Sequence, residues 1–141
     1  TQMATFSAKS ILFFLTFSLI STFSFSQVIT MQTTGFAYQY VEGNYWSDWT
    51  DFEPTQMPIV IDIDHDQIVI YSAETQIYDV MKAEGSSYDE DGDEFLSFYC
   101  VNEDGIACRI RLAMLNSQGG RYQFYVDFDD MRWVYNVYIV E

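Results

Sequence analysis

From residue 27 onward, apolar and polar side chains alternate with a period of two, the pattern of strands buried on one face. Ile59, Ile61 and Ile63 point one way. Ile68 and Ile70 repeat the pattern beyond a turn at His65-Asp66. The alternating runs are 34–41, 45–52, 57–64, 67–72, 76–82, 94–101, 106–115, 121–128 and 131–140. No run after residue 26 has a helical period. Pro54 and Pro58 mark the longest early connection, since proline cannot donate to a ladder. Residues 84–93 form the main later loop.

Turn chemistry fixes the registers of the last four runs. Asn102-Glu103-Asp104-Gly105 predicts a hairpin with three loop residues, Asn opening the turn and Gly taking the left-handed position. That loop sets Cys100 opposite Cys108, Phe98 opposite Ile110 and Leu96 opposite Leu112. Asn116-Ser117-Gln118-Gly119 repeats the chemistry and sets Leu112 opposite Phe124 and Ile110 opposite Val126. A turn at Asp129-Asp130 sets Val126 opposite Trp133 and Phe124 opposite Tyr135. Each pair matches apolar with apolar, and a slip of one residue destroys the match. The pattern predicts one antiparallel all-β domain of eight or nine strands, an up-and-down barrel or clam, with a two-sheet sandwich as the alternative.

The opposite face of the same runs carries Arg109, Arg111, Arg121 and Arg132. The registers align Tyr99, Arg109, Asp127 and Arg132 in one row and place Arg111 beside Tyr125. This face is either a charge ladder that solubilises the sheet or a patch for an acidic or planar partner.

The first 26 residues follow another rule. Lys9 precedes an uncharged apolar run over residues 11–25, closed by the small-x-small site Ser24-Phe25-Ser26. This is the layout of a cleavable secretory signal peptide helix, cut before Gln27, and it divides the chain into a leader (1–26) and an all-β domain (27–141). Serines and threonines interrupt the run, so it is a poor membrane span, and no stable membrane insertion is expected after cleavage. The protein is expected to be secreted or periplasmic.

Charge narrows the partners. The chain carries 6 basic and 21 acidic residues, a net charge of −15, and Lys9 is the only charge in the leader. Such a field repels phosphate backbones and anionic lipid, so nucleic acid is excluded. Small neutral or apolar ligands and protein partners remain.

In an oxidising compartment the two cysteines, Cys100 and Cys108, predict a disulfide across the hairpin, with two buried thiols as the alternative. Asp89, Asp91 and Asp93 alternate in an acidic loop and are weak candidates for Ca²⁺. Gly92 precedes the third acid, unlike an EF-hand, and a solvated loop is the simpler reading. Trp46 and Trp49, with Tyr38, are candidates to line a barrel mouth and hold a ligand, against a role in core packing. His65 stands alone between Asp64 and Asp66, a hydrophilic turn and not a zinc site. No nucleophile elbow, His-Glu-x-x-His motif or phosphate loop occurs, and no cofactor is expected.

The landmarks Trp46-Ser-Asp-Trp49, Ile59-Val-Ile-Asp-Ile-Asp64, Cys100…Cys108 and Trp133-Val-Tyr-Asn-Val-Tyr138, taken together, resemble small exported bacterial proteins of uncharacterised function. That resemblance implies an exported all-β chain and no particular activity. Size and strand count are similar to lipocalin-like barrels, although Gly35-Phe36-Ala37 stands where those carry Gly-x-Trp. The sequence thus points to a non-catalytic binding protein of the cell envelope or extracellular space, with a small ligand in the barrel. The alternative is a protein-interaction module using Tyr99, Arg109, Arg111, Tyr125 and Arg132; a hydrolase ranks third.

Overall fold

A computed structural model describes residues 27–140; the leader and its expected helix lie outside the described residues. The strands are β1 (Val28–Glu42), β2 (Tyr45–Trp46), β3 (Glu53–Pro54), β4 (Pro58–Asp62), β5 (Gln67–Ile70), β6 (Gln76–Tyr88), β7 (Glu94–Asn102), β8 (Ala107–Leu115), β9 (Arg121–Asp127) and β10 (Met131–Val140). All pairings are antiparallel, each long strand lying beside its neighbour in sequence. The ring closes because β10 pairs with β1 from Thr30↔Val140 to Tyr40↔Met131. The result is an eight-stranded barrel, not a sandwich, with β2 and β3 as short additions along β1. Among the described residues no helix is long and apolar enough to cross a membrane.

The registers expected for the last four strands are the observed ones. Cys100 faces Cys108 and Phe98 faces Ile110. Leu112 faces Phe124 and Ile110 faces Val126. Trp133 faces Val126 and Tyr135 faces Phe124. The Asn102 side chain holds the first turn by accepting from the Asp104 and Ile106 N–H groups. Gly105 takes the left-handed conformation there, at φ 79°.

Eight strands leave an interior just wide enough for side chains to fill. Here Met31, Ile59, Ile61, Ile68, Ile70, Ile110, Leu112, Phe124, Val126 and Tyr135 fill it and are almost wholly excluded from water. Each such burial contributes about 1.5–3 kcal/mol relative to exposure.

Three segments differ from the sequence expectation. β1 begins at Val28, well before residue 34. A bulge between Thr33 and Gly35 reverses its facing, so Met31 and Thr33 point inward above it and Phe36 and Tyr38 below it. The run 45–52 is not a continuous strand. The Ser47 and Thr50 hydroxyls accept from the Tyr40 and Tyr38 N–H groups, replacing ladder bonds with side-chain ones. Finally, β6 continues to Tyr88 through the first half of the expected 84–93 loop. Bulges between Val80/Lys82 and Ala83/Gly85 break its alternation, and its last eight residues are all exposed, so no apolar period marks it.

Candidate functional site

The segment after β1 lies against the outside of the barrel. Ser47 N–H donates to the Tyr40 carbonyl and Thr50 N–H to that of Tyr38. Gln39 donates from Nε2 to the Ser47 carbonyl at 2.7 Å. Beneath this strap the outward residues are small: Ala37 on β1 and Val134 on β10 face each other and are buried. Over that floor Trp49 reaches Tyr125 on β9, edge to face at 6.3 Å between centroids. Trp46 lies under Arg132, whose guanidinium carbon is 3.9 Å from the indole centroid. Tyr38 turns inward, in ring contact with Phe36 at 5.9 Å and Tyr40 at 6.4 Å. The three aromatic candidates are therefore not brought together. Tyr38 belongs to the barrel end, while Trp46 and Trp49 belong to its outer face.

That outer face is also where the arginines converge. One cross-strand row runs Lys82, Tyr99, Arg109, Asp127, Arg132, Gln39 over six neighbouring strands. Arg109 grips Glu84 of β6 with two bonds, Nε at 2.7 Å and Nη2 at 2.9 Å. This pairing holds the Glu84 carboxyl below its ordinary range and raises the Arg109 guanidinium. Both groups face solvent, so the bridge adds little stability. Arg111 donates to Asp127 Oδ2 at 2.8 Å and stacks on Tyr125 at 4.4 Å, with Phe95 at 5.5 Å. Burial pushes the Tyr125 hydroxyl upward, and Arg111 opposes the shift.

Between these groups lies a half-open groove of about 440 Å³ bordered by Tyr99, Arg109, Arg111, Asp127 and Arg132. Two of its polar atoms are buried without a hydrogen-bond partner, Arg132 Nε and Asp127 Oδ1. A buried donor and a buried acceptor left open on one groove cost free energy until something fills them. The partner-face candidates Tyr99, Arg109, Arg111, Tyr125 and Arg132 are thus brought together. Sequence reasoning missed Glu84 and Gln39. Glu84 sits on the bulged half of β6, where period-two reading fails, and Gln39 gives no signal until the strap is placed.

Asp89, Asp91 and Asp93 have carboxylate oxygens within 4.8 Å of one another. Their bonds are structural. Asp89 Oδ1 accepts from the Asp91 and Asp93 N–H groups. Buried Asp93 accepts from Ser117 N–H at 2.8 Å and from Ser117 Oγ at 2.9 Å. The acids thereby tie the β6–β7 turn to the 3-10 turn Asn116–Gln118 that follows β8. His65 is exposed and donates to Asp62, which raises the imidazole pKa.

The expected disulfide is corrected by the structure: Cys100 and Cys108 are opposite one another, buried and free. The Asn102 N–H bonds the Ile106 carbonyl, so that position is a hydrogen-bonded one, and alternation makes 100/108 another. Side chains at such positions stand farther apart than at the intervening ones. Burial pushes both thiols up to about 12. No family model, curated protein or solved structure matches the chain.

Proposed function

We propose that this chain is an exported, non-catalytic binding protein that takes a protein partner on the outer face of β7–β10. The observation that carries the reading is the row from Lys82 to Gln39, with its groove. Three of the five basic residues outside the leader stand in that row, and Arg111 stands beside it, in a chain of net charge −15. Concentrating scarce cations around a groove, with Arg132 Nε and Asp127 Oδ1 unpaired, suits recognition better than solubility. Trp46 and Tyr99 add the aromatic anchors common in protein interfaces. The side chains packed through the barrel middle weigh against a ligand held there.

A second reading keeps a small neutral or apolar ligand at the barrel end, where Phe36, Tyr38 and Tyr40 form a series of rings and Tyr40 is exposed. Export rests on the apolar leader and its cleavage site, and mass analysis of exported material is expected to begin at Gln27.

The test is site-specific photocrosslinking in the native host. A crosslinker at Tyr99 is expected to capture one discrete partner, and one at Tyr71, exposed beyond β5 and off this face, is not. Arg132→Glu with Arg111→Glu abolishes the capture. Equal capture from both positions, or capture unaffected by the charge reversals, overturns the reading.

A further inference from the structure

Among the described residues the longest strand stretch paired on one side alone is the far end of β6. β5 pairs with β6 only from Gln67↔Asp79 to Ile70↔Gln76, and the last bond on that side joins Val80 N–H to the Asp66 carbonyl at 2.8 Å. Beyond it β6 continues from Met81 to Tyr88, bound to β7 on one side alone. Every residue of that stretch is exposed. Its length is roughly 26 Å at about 3.3 Å per residue. A row of unpaired main-chain groups of this length is a template for another strand.

The phase of the edge follows from the adjoining turn. Asp89 N–H donates to the Asp93 carbonyl and Gly92 N–H to that of Asp89, which makes 89/93 a hydrogen-bonded position. Alternation then turns the N–H and C=O groups of Ser86 and Tyr88 toward the open side, while Ser87 bonds to β7. Gly85-Ser86-Ser87 carries small side chains, so another backbone can come close. Acids stand at both ends. Asp64 and Asp66 lie in the turn where β5 gives out, and Asp89, Glu90 and Asp91 lie where β6 ends. The molecule's net charge of −15 adds long-range attraction for cations. A second copy is a poor occupant, because it brings the same negative field.

We propose that the open edge of β6, from Met81 to Tyr88, is a strand-addition site for an extended basic segment of a partner protein. The segment's main chain completes the bonds of Ser86 and Tyr88, and its lysines or arginines lie against the acids at the two ends. This site shares Lys82 and Glu84 with the outer-face row but is read by the main chain of β6 and not by the groove, so it stands or falls without that reading.

The probe is a synthetic peptide of about ten residues that alternates lysine with valine and threonine, added to the whole protein. Two control peptides of identical charge carry N-methyl groups on every second amide, one in each phase. Saturable binding is expected, with amide exchange at Ser86 and Tyr88 slowed about tenfold or more. One methylated phase is expected to lose binding and the other to keep it, because only one edge of the peptide meets β6. Both controls act on the ligand, so folding of the protein is not at issue. The inference is overturned if the peptide fails to bind or both methylated forms bind as well as the parent. It is equally overturned if protection appears away from residues 81–88, or if the edge is already protected by a second copy.

Discussion

Arg132 lies face-on over the indole of Trp46, 3.9 Å from its centroid, and so fastens the strap after β1 to the first residues of β10. The contact joins the two features that the sequence presents separately, the tryptophan pair and the arginine row. It also explains how Arg132 is held without an ion pair: the ring face supplies negative electrostatic potential while Nε is left unbonded.

A double-mutant cycle over Trp46→Ala and Arg132→Ala measures that contact. At this partly exposed site the coupling is expected to be about 0.5–1 kcal/mol. Urea denaturation of the four proteins gives it directly. Additivity within about 0.3 kcal/mol would show that strap and row are energetically independent.

The packed interior makes a second, sharper prediction. Phe124 is fully buried and touches Tyr135 at 6.4 Å between centroids. Phe124→Ala is expected to cost about 3–5 kcal/mol, since its neighbours across the barrel cannot collapse into the space. Phe52 belongs to the strap and is 47% exposed. Phe52→Ala is expected to change stability by no more than about 1 kcal/mol. Similar costs for the two would mean that the middle of the barrel is not where the stability resides.

The contrast between those phenylalanines shows what the sequence could reveal. Phe124 is readable as core because its hairpin loops fix the register: Asn102 and Gly105 set one turn, and Gly119 at φ 77° and Gly120 at φ 81° close the next. Where turn chemistry is explicit, alternation counts outward from it without error, and the row Tyr99–Arg109–Asp127–Arg132 follows. Phe52 is not readable, because the run 45–52 reads as one strand, whereas Ser47 and Thr50 each give β1 one main-chain bond and accept the return bond on their hydroxyls, which ends the ladder. Nor is the far half of β6, where two bulges hide both the strand and Glu84. Registers also say which residues are neighbours, not which charges pair. Arg109 lies opposite Asp127 yet binds Glu84, leaving Asp127 to Arg111.

Glu94 gives a pH signature. It is buried at the end of β7 opposite Tyr88, and burial raises its carboxyl pKa, with hydrogen bonds from Ser86 and Tyr88 opposing. The folded protein therefore holds this proton more tightly than the unfolded chain, whose value is about 4.3. Stability from this group is present below that value and is lost as pH rises through the raised folded pKa. Glu94→Gln removes the loss. Its stability relative to wild type is expected to increase from pH ~4 upward and then level off, read from urea midpoints across the series. Parallel profiles for the two proteins would mean that Glu94 titrates normally.

The two cysteines provide the last test. They face each other at 0% and 5% exposure, and burial raises both thiols to about 12. Thiolate is the reactive form, so native protein at pH ~8 is expected to resist iodoacetamide for hours while unfolded protein takes two labels at once. Native labelling should then follow the opening equilibrium: Phe124→Ala, by lowering stability, is expected to accelerate it, and Phe52→Ala is not. Rapid labelling of the native chain would place the thiols at the surface. An intact mass lighter by two hydrogens, with no label taken even in denaturant, would show that the opposed pair closes into a disulfide and that the β7–β8 ladder bends to let it.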